Sequence, residues 1–163
     1  MGDGVIQYKN GTPVQSYNEK NAFKETAGGY GSGYCYIDGL AFDKNGNLWM
    51  TSSEVNHAVL VLDKAGAWHR LDIEQLRGVY TINDILITST NDKWIYVPRN
   101  TPKLVMIPNS ESLDEVSSYE FTTLIDTDGK ELTPSNYTCV AEDKDGYIWV
   151  GTNRGAVYFT KPR

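Results

Sequence analysis

Apolar and polar residues alternate in short runs along most of the chain, and turn-forming residues separate the runs. Alternation with a period of two places successive side chains on opposite faces of a β-strand. Only residues 73–79 have a pattern that would fit a single helical turn. The strand-like runs occupy residues 36–43, 47–53, 57–64, 67–73, 81–89, 93–99, 103–109 and 118–125. The pattern therefore predicts an all-β chain.

One phrase returns at the same place in this pattern. DKNGNLWM at 43–50 is repeated as DKDGYIWV at 143–150, and a degenerate copy ends in Trp94. The turn pairs Asn45-Gly46, Asn91-Asp92 and Asp145-Gly146 precede the three Trp residues. Asn-Gly and Asp-Gly between alternating runs favour type I′ hairpins, in which both central residues have positive φ. We therefore expect a hairpin in each unit with Trp on its second strand, and the degenerate copy leaves open whether Trp94 is shifted by one residue.

The spacing of the copies predicts the architecture. Trp49, Trp94 and Trp149 are 45 and 55 residues apart, and four antiparallel strands per repeat of that length form the blade of a β-propeller. A β-sandwich is the alternative, but it gives no reason for one phrase to recur on one strand. We interpret the chain as a single propeller segment of about three blades, an arc of a larger propeller. Its units are a partial blade at 1–20, blades at 34–73 and 79–125, and a partial blade at 136–163.

Both ends of the chain are expected to be incomplete blades. Residues 5–9 and 14–18 fit the third and fourth strands of a blade, whereas residues 137–161 supply three strands without a fourth. An arc of this kind leaves apolar sheet faces uncovered. We therefore expect self-association through the open blade faces.

Charge and hydropathy narrow the range of partners. The net charge is −6 and there is no cluster of Lys and Arg, so nucleic acid is not an expected partner. No stretch approaches the roughly 20 apolar residues of a membrane span, and the first residues lack the layout of a signal peptide. An initial Met placed directly before Gly-Asp-Gly would equally fit a piece cut from a longer chain.

Two segments resemble the two-component-regulator propeller repeat. They are GLAFDKNGNLWMTS at 39–52 and NYTCVAEDKDGYIWVGTNRGAVYF at 136–159, and longer stretches resemble one branch of that family, the surface propeller protein of the Bacteroidetes type IX secretion apparatus. The second repeat departs from the pattern because no Gly-Thr follows its Trp. The positions that carry the repeat motif are Asp43, Asn45, Gly46, Trp49, Trp94, Asp143, Asp145, Gly146, Trp149, Gly151 and Thr152.

The resemblance implies a bacterial propeller in the periplasm or at the cell surface. It would be either the sensor part of a hybrid histidine kinase that detects oligosaccharides or a secretion-linked surface protein. GLAFDKNGNLWMT also resembles metal-dependent lactonases and antibiotic lyases of propeller shape, whose sites draw ligands from several blades.

The acidic turns and the two histidines do not form a metal-binding pattern. An EF-hand loop needs Gly at its sixth position, whereas Gly is fourth in DKNG and DKDG, so we expect the Asp to cap the turn. His57 and His69 lie on adjacent predicted strands without a ligand pattern around them. Cys35 and Cys139 have no CxxC spacing and are expected to be small buried residues, with a disulfide between them as the alternative. No metal and no cofactor are expected.

Aromatic residues are the candidates for ligand contact. Trp49 and Trp149 could stack on sugars, but their identical place in the repeat favours packing between blades. The Gly-rich stretch at 27–34 is followed by a predicted strand and is expected to be a loop between blades, where recognition residues concentrate. The weak candidates for ligand binding are Tyr30, Tyr34, Tyr36 and Trp68.

The sequence contains no G-x-S-x-G motif and no Ser, His and Asp in the order of a catalytic triad. We therefore predict a non-catalytic binding or scaffold module that recognises a glycan or a partner protein. The alternative is part of a metal-dependent propeller enzyme of the lactonase or lyase type.

Overall fold

The computed structural model describes residues 4–26 and 34–160. Within these ranges the chain forms fifteen short strands and one 3₁₀ turn, Glu74–Leu76, and no described helix could cross a membrane. The strands are β1 Val5–Lys9, β2 Thr12–Tyr17, β3 Gly39–Phe42, β4 Leu48–Thr51, β5 Val59–Leu62, β6 Trp68–Leu71, β7 Ile85–Ile87, β8 Lys93–Val97, β9 Lys103–Ile107, β10 Tyr119–Phe121, β11 Leu124–Ile125, β12 Glu131–Leu132, β13 Tyr137–Glu142, β14 Ile148–Thr152 and β15 Gly155–Phe159.

The strands form antiparallel sheets in which sequence neighbours are also spatial neighbours. Two sheets have four strands, β3-β4-β5-β6 and β7-β8-β9-β10, and a third has three, β13-β14-β15. The remaining described strands form two separate hairpins, β1-β2 and β11-β12. Four-stranded antiparallel sheets in simple up-and-down order are propeller blades, so the predicted all-β propeller architecture is confirmed. The described sheets do not close into a ring.

Apolar side chains are buried between successive sheets. One cluster joins Trp49 and Val61 of the first blade sheet to Ile95 and Val105 of the second. Another joins Trp94 of the second sheet to Val150 of the third. The second blade sheet, which lies between the other two, thus buries both of its faces, because alternate residues of its strands point to opposite neighbours.

The end of the second blade differs from the sequence prediction. The predicted strand at 118–125 is divided into β10 and β11, and β11 pairs with β12, which the pattern did not reveal. The turn between them closes because the carboxylate of Asp126 accepts hydrogen bonds from the N–H groups of Asp128 and Lys130. Asp126-Thr127-Asp128-Gly129 therefore repeats the turn chemistry of the motif, and this local signal was available in the sequence.

The prediction of type I′ turns is wrong. Gly46 has φ of +85° and Gly146 has φ of +82°, but neither Asn45 nor Asp145 is among the described residues with positive φ. The N–H of Asp43 donates to the carbonyl of residue 47 at 2.9 Å, which encloses a three-residue loop. Such loops combine a type I turn with one left-handed residue, so only the Gly position requires positive φ.

The second blade keeps the same register with different residues. The turn runs from Thr88 to Asp92, and Asn91 takes the left-handed position with φ of +69°. Trp94 follows Thr88 by six residues, as Trp49 follows Asp43. Trp94 is therefore not shifted relative to the other copies.

Candidate functional site

The Asp that begins each conserved turn holds both the turn and the Trp. One oxygen of Asp43 accepts hydrogen bonds from the N–H groups of Asn45 and Asn47 at 2.9 Å, and the other accepts from Nε1 of Trp49 at 2.9 Å. Asp143 makes the same contacts, including Nε1 of Trp149 at 2.8 Å. These acidic residues therefore serve as hydrogen-bond acceptors within the turn.

The pKa values of the two carboxyl groups reflect this arrangement. Burial opposes ionisation of Asp43, but hydrogen bonds from Trp49 and Asn47 outweigh it and lower its pKa. For Asp143 the hydrogen bond from Trp149 is the largest cause of a lowered pKa. Both groups are held in the charged form as structural acceptors.

The second blade lacks this acceptor. Thr88 stands where the others have Asp, and Nε1 of Trp94 is buried without a hydrogen-bond partner among the described residues. Trp94 is instead stacked on Phe121 at 5.8 Å and lies 5.2 Å from Phe159, between ring centres. Aromatic packing between two sheets thus replaces the hydrogen bond.

Lys93 contributes to the interface around the first Trp. Its Nζ lies 4.3 Å from the centre of the Trp49 ring, a cation–π distance. Burial lowers the pKa of Lys93, and the charges of Asp43 and Asp92 oppose this shift. The interface between the first two blade sheets therefore contains a buried cation next to two acids.

One end of the blade sheets carries most of the long connections, and we call it the loop face (residues 34–38, 52–58 and 72–84). Hydrogen bonds cross between its connections, from Glu54 N–H to the carbonyl of Val79 at 2.8 Å and from Gly78 N–H to that of Val55 at 2.9 Å. Ser53 joins all three segments, because its hydroxyl donates to Asp38 at 2.6 Å and accepts from the N–H of residue 82 at 2.8 Å. The loop face is thus a connected surface.

The loop face contains two of the four predicted ligand residues. The rings of Tyr34 and Tyr36 meet edge to face at 5.1 Å and both side chains are half-buried. Tyr80 is also there and is 62% exposed, although the strand pattern had not identified it. Tyr30 lies outside the described residues. Trp68 lies on β6, outside the loop face. Its half-buried ring packs edge-on against the rings of Tyr17 and Phe23, with 5.4 Å between ring centres.

The two histidines have separate carboxylate partners. His57 lies between β4 and β5, so its placement on a strand was wrong, and its Nδ1 is 2.6 Å from the carboxylate of Glu25. His69 lies on β6 between Asp114 at 2.7 Å and Asp63 at 3.1 Å. Hydrogen bonds to Asp114 first, and then to Asp63, raise the pKa of His69. In residues 4–26 and 34–160, no three His, Cys, Asp or Glu side chains are grouped so as to hold a metal ion.

The C-terminal open face is the side of β13-β14-β15 that carries Cys139, Ala141, Trp149 and Tyr158. Trp149 is 41% exposed and Tyr158 is 52% exposed, and their rings stack at 4.8 Å with an angle of 24°. Cys139 is exposed as well, so the prediction that it is buried is wrong, whereas Cys35 is buried. The opposite side of the same sheet is packed through Val150 and its neighbours.

The N-terminal open face is the side of β3 and β4 that carries Leu40, Phe42 and Leu48. Leu40 is 49% exposed and Phe42 is 69% exposed. A groove of about 520 Å³ lies between these residues and hairpin β1-β2, which contributes Ile6 and Tyr17 to its lining. The rest of this side of the sheet is covered, because Met50 and Leu60 are buried in a cluster with Ala22, Phe23 and Cys35.

Comparisons with known proteins agree with this architecture. The family model described as "Two component regulator propeller" matches residues 131–154. A search of curated protein sequences found no match to the chain.

Three solved structures are similar to the chain in fold. PorZ of Porphyromonas gingivalis, an essential bacterial surface component of the type-IX secretion system, has a TM-score of 0.83 and 20% identity, covering 96% of this chain and 22% of PorZ. The extracellular domain of BT3049 from B. thetaiotaomicron, named as a hybrid two component system, has a TM-score of 0.61 and 21% identity over 93% of this chain and 18% of that one. Virginiamycin B lyase from Staphylococcus aureus has a TM-score of 0.50 and 17% identity over 78% of this chain and 42% of the lyase.

The chain spans less than a quarter of PorZ and of the BT3049 domain, and less than half of the lyase. At these identities the solved structures show the shared propeller fold. The match to the two-component-regulator propeller repeat itself covers residues 131–154.

Proposed function

We propose that the chain is a non-catalytic binding module of a bacterial propeller protein in the periplasm or at the cell surface, and that its loop face recognises an oligosaccharide or a partner protein. The observation that carries this proposal is the presence of three tyrosines on the connections of the loop face. Tyr34 and Tyr36 form an edge-to-face pair and Tyr80 is largely exposed, all three on connections. Tyrosine rings offer an apolar surface and a hydroxyl to a ligand, and connections carry recognition more often than sheets do.

The hydrogen bonds of the motif carboxylates support a non-catalytic role. Asp43 and Asp143, the acids that most resemble a catalytic or metal-binding signature, already accept hydrogen bonds from the turn and from Trp. The alternative is a metal-dependent propeller enzyme, and the fold is shared with virginiamycin B lyase. An activity assay tests this alternative directly. Turnover of a lactone or a streptogramin by the full chain with added divalent metal, abolished by EDTA, would contradict the proposal.

The binding proposal is tested with a glycan array of defined oligosaccharides, followed by calorimetry on any oligosaccharide that binds. Tyr36→Ala combined with Tyr80→Ala is expected to weaken binding at least roughly tenfold, because each aromatic contact contributes on the order of 1 kcal/mol. Ile125→Ala is the matched control, since Ile125 is 70% exposed and lies on β11, outside the loop face. Unchanged affinity in the double Tyr variant would exclude the loop face as the glycan site.

We also propose that the open sheet faces support self-association. Trp149 and Tyr158 on the third blade sheet, and Leu40 and Phe42 on the first, expose apolar surface. Contiguous apolar patches of this kind mark interaction surfaces in soluble proteins.

A further inference from the structure

The two covered interfaces between blade sheets differ in the charge of the residue that lies against the motif Trp. In the first interface, Lys93 of the second sheet is only 1% exposed, and its Nζ lies over the ring of Trp49. In the second interface, Ile148 of the third sheet is buried in the cluster that contains Trp94. Lys93 and Ile148 hold the same place in the repeat, because each begins the second strand of its sheet directly before a motif Trp.

The charge of the covering residue matches the residue that begins the turn of the covered sheet. Trp49 follows Asp43, which is held in the charged form, and the side chain over its ring is a cation. Trp94 follows Thr88, which is neutral, and the side chain in its cluster is apolar. A buried ammonium needs an anion or an aromatic face nearby, whereas an apolar side chain needs neither. Each interface thus combines residues of complementary character.

The third copy of the motif has the acid and the exposed ring without a cation over it. Asp143 accepts the hydrogen bond of Trp149 and is held in the charged form, as Asp43 is in the first copy. Trp149 is 41% exposed on the C-terminal open face. In the part of the chain that the structure describes, the cation–π contact of Lys93 has no counterpart at this ring. The first interface therefore serves as the template for what fits here.

We propose that the C-terminal open face is a docking surface for a partner protein that places a Lys or Arg side chain over the ring of Trp149, among aliphatic residues. The aliphatic surroundings follow from the first interface, where Ile85, Ile95 and Val105 lie in the cluster of the covered Trp. A second copy of the chain does not offer this set, because its own Lys93 is buried. The inference therefore goes beyond the self-association proposed above, which needs no basic residue.

The matching of charges is tested first inside the molecule. Asp43→Thr combined with Lys93→Ile gives the first interface the residue pair of the second. Urea unfolding of the parent, the single variants and the double variant shows whether the two effects depend on each other. Asp43→Thr should reduce the folding equilibrium constant at least roughly tenfold less in the Lys93→Ile background, because no buried cation is then left without its acid.

The control for this cycle is Asp143→Thr in the same two backgrounds. Asp143 belongs to the third sheet, so its effect should not depend on residue 93. Equal losses for Asp43→Thr in both backgrounds would overturn the matching of charges between sheets.

The exposed thiol of Cys139 allows a direct test of the open face. It lies against Gly151, its partner across β13 and β14. Gly151 and Trp149 are two residues apart on β14 and face the same side, so Cys139 and Trp149 are diagonal neighbours, roughly 7–8 Å apart. A small disulfide exchanges with a thiol by forming one mixed disulfide and releasing one thiol. A short arm attached in this way brings its end group beside the Trp149 ring.

The probes are the symmetrical disulfides of cysteamine, 2-mercaptoethanol and 3-mercaptopropionate, whose arms end in a cation, a hydroxyl and an anion. The full chain is equilibrated at low concentration with equal amounts of all three and of their thiols. Peptide mass spectrometry measures the adducts at Cys139, with buried Cys35 as the unreactive reference. The ratio of cysteamine to hydroxyl adduct should be at least roughly threefold higher in the parent than in Trp149→Leu, because the ring attracts the ammonium.

The remaining variants and measurements make the result decisive. Ile125→Ala lies on β11, outside the open face, and should give the same ratio as the parent. Circular dichroism checks that Trp149→Leu is folded. An equal ratio in the parent and in Trp149→Leu would overturn a cation site at this ring. Sedimentation of the unlabelled chain tests self-association separately, and a monomeric chain would leave the preference for the cation intact.

Discussion

The first and third copies of the motif have nearly the same hydrogen bonds but very different surroundings. Trp49 donates to Asp43 and is sealed between two sheets, whereas Trp149 donates to Asp143 and is 41% exposed. The local hairpin is therefore self-sufficient, because its turn and its Trp contact form with or without a covering sheet. Burial of the Trp ring depends on a neighbouring sheet. The two copies should therefore differ in how much the ring contributes to the free energy of unfolding.

The largest expected difference between the copies is the cost of removing the Trp ring. Trp49→Ala should lower the free energy of unfolding by about 3–5 kcal/mol, because it leaves a cavity in a closed interface. Trp149→Ala should cost about 1 kcal/mol or less in the monomer, because its ring is partly solvated. Urea unfolding at low protein concentration measures both. Similar losses for the two variants would mean that burial at the first interface contributes little.

Removing the Asp of the motif should also cost more stability in the first copy than in the third, with a smaller difference than for the Trp. Asp43→Ala is expected to cost about 2 kcal/mol, because it leaves Nε1 of Trp49 and two turn N–H groups without their buried acceptor. Asp143→Ala should lower the unfolding midpoint by less, because water can reach the freed donors at the exposed hairpin. Equal midpoint shifts in thermal unfolding would contradict this ordering.

The turn geometry should be equally demanding in both copies, since it is local. Gly146→Val and Gly46→Val each place a β-branched residue at positive φ and should cost about 1 kcal/mol or more. In the second blade, Asn91→Gly suits the φ of +69° but removes the hydrogen bonds that the buried Asn91 side chain accepts from the Lys44 N–H and donates to Asn109, so it should also destabilise the fold. Thermal unfolding of the three variants measures these effects. A neutral Gly146→Val would show that the left-handed position is not required at the third turn.

The smallest expected effect concerns the pH dependence of the first blade. The pKa of His69 is raised by Asp114 and Asp63, so its protonated form is stabilised in the folded state. Its contribution is present below the unfolded pKa of about 6.5 and is lost as the pH rises through the higher folded value. Unfolding midpoints from pH 5 to 9 should fall less for His69→Gln than for the parent across that upper range. Parallel curves would show that the two ion pairs do not contribute.

Sequence patterns predicted the strands best where local chemistry decides the structure. The Asp-x-x-Gly-x-x-Trp spacing identified the hairpins at Asp43 and Asp143 because the Asp, the Gly and the Trp interact within a single turn and strand. The turn type was wrong because one positive φ rather than two satisfies a three-residue loop. Hairpin β11-β12 was missed because strands of two residues have no readable alternation.

The candidate site was less predictable than the fold. A loop argument proposed Tyr34 and Tyr36 as ligand residues and did not point to Tyr80, since exposure on a connection leaves no periodic signal. Trp68 packs against Tyr17 and Phe23 because β1-β2 and the segment after it fold back over β6. Contacts of this kind join distant residues, which alternation along one strand does not report.

By itself, the sequence determined an all-β chain of propeller blades, with a Trp on the second strand after each repeat turn. These features follow from alternation, from turn residues and from hydrogen bonds within six residues, all of which are local. Only the tertiary structure decided which Trp is buried and which face is open. Trp49 and Trp149 follow the same Asp-x-x-Gly turn and make the same hydrogen bond to its Asp, and their exposure differs because one sheet has a described neighbour on that side and the other does not.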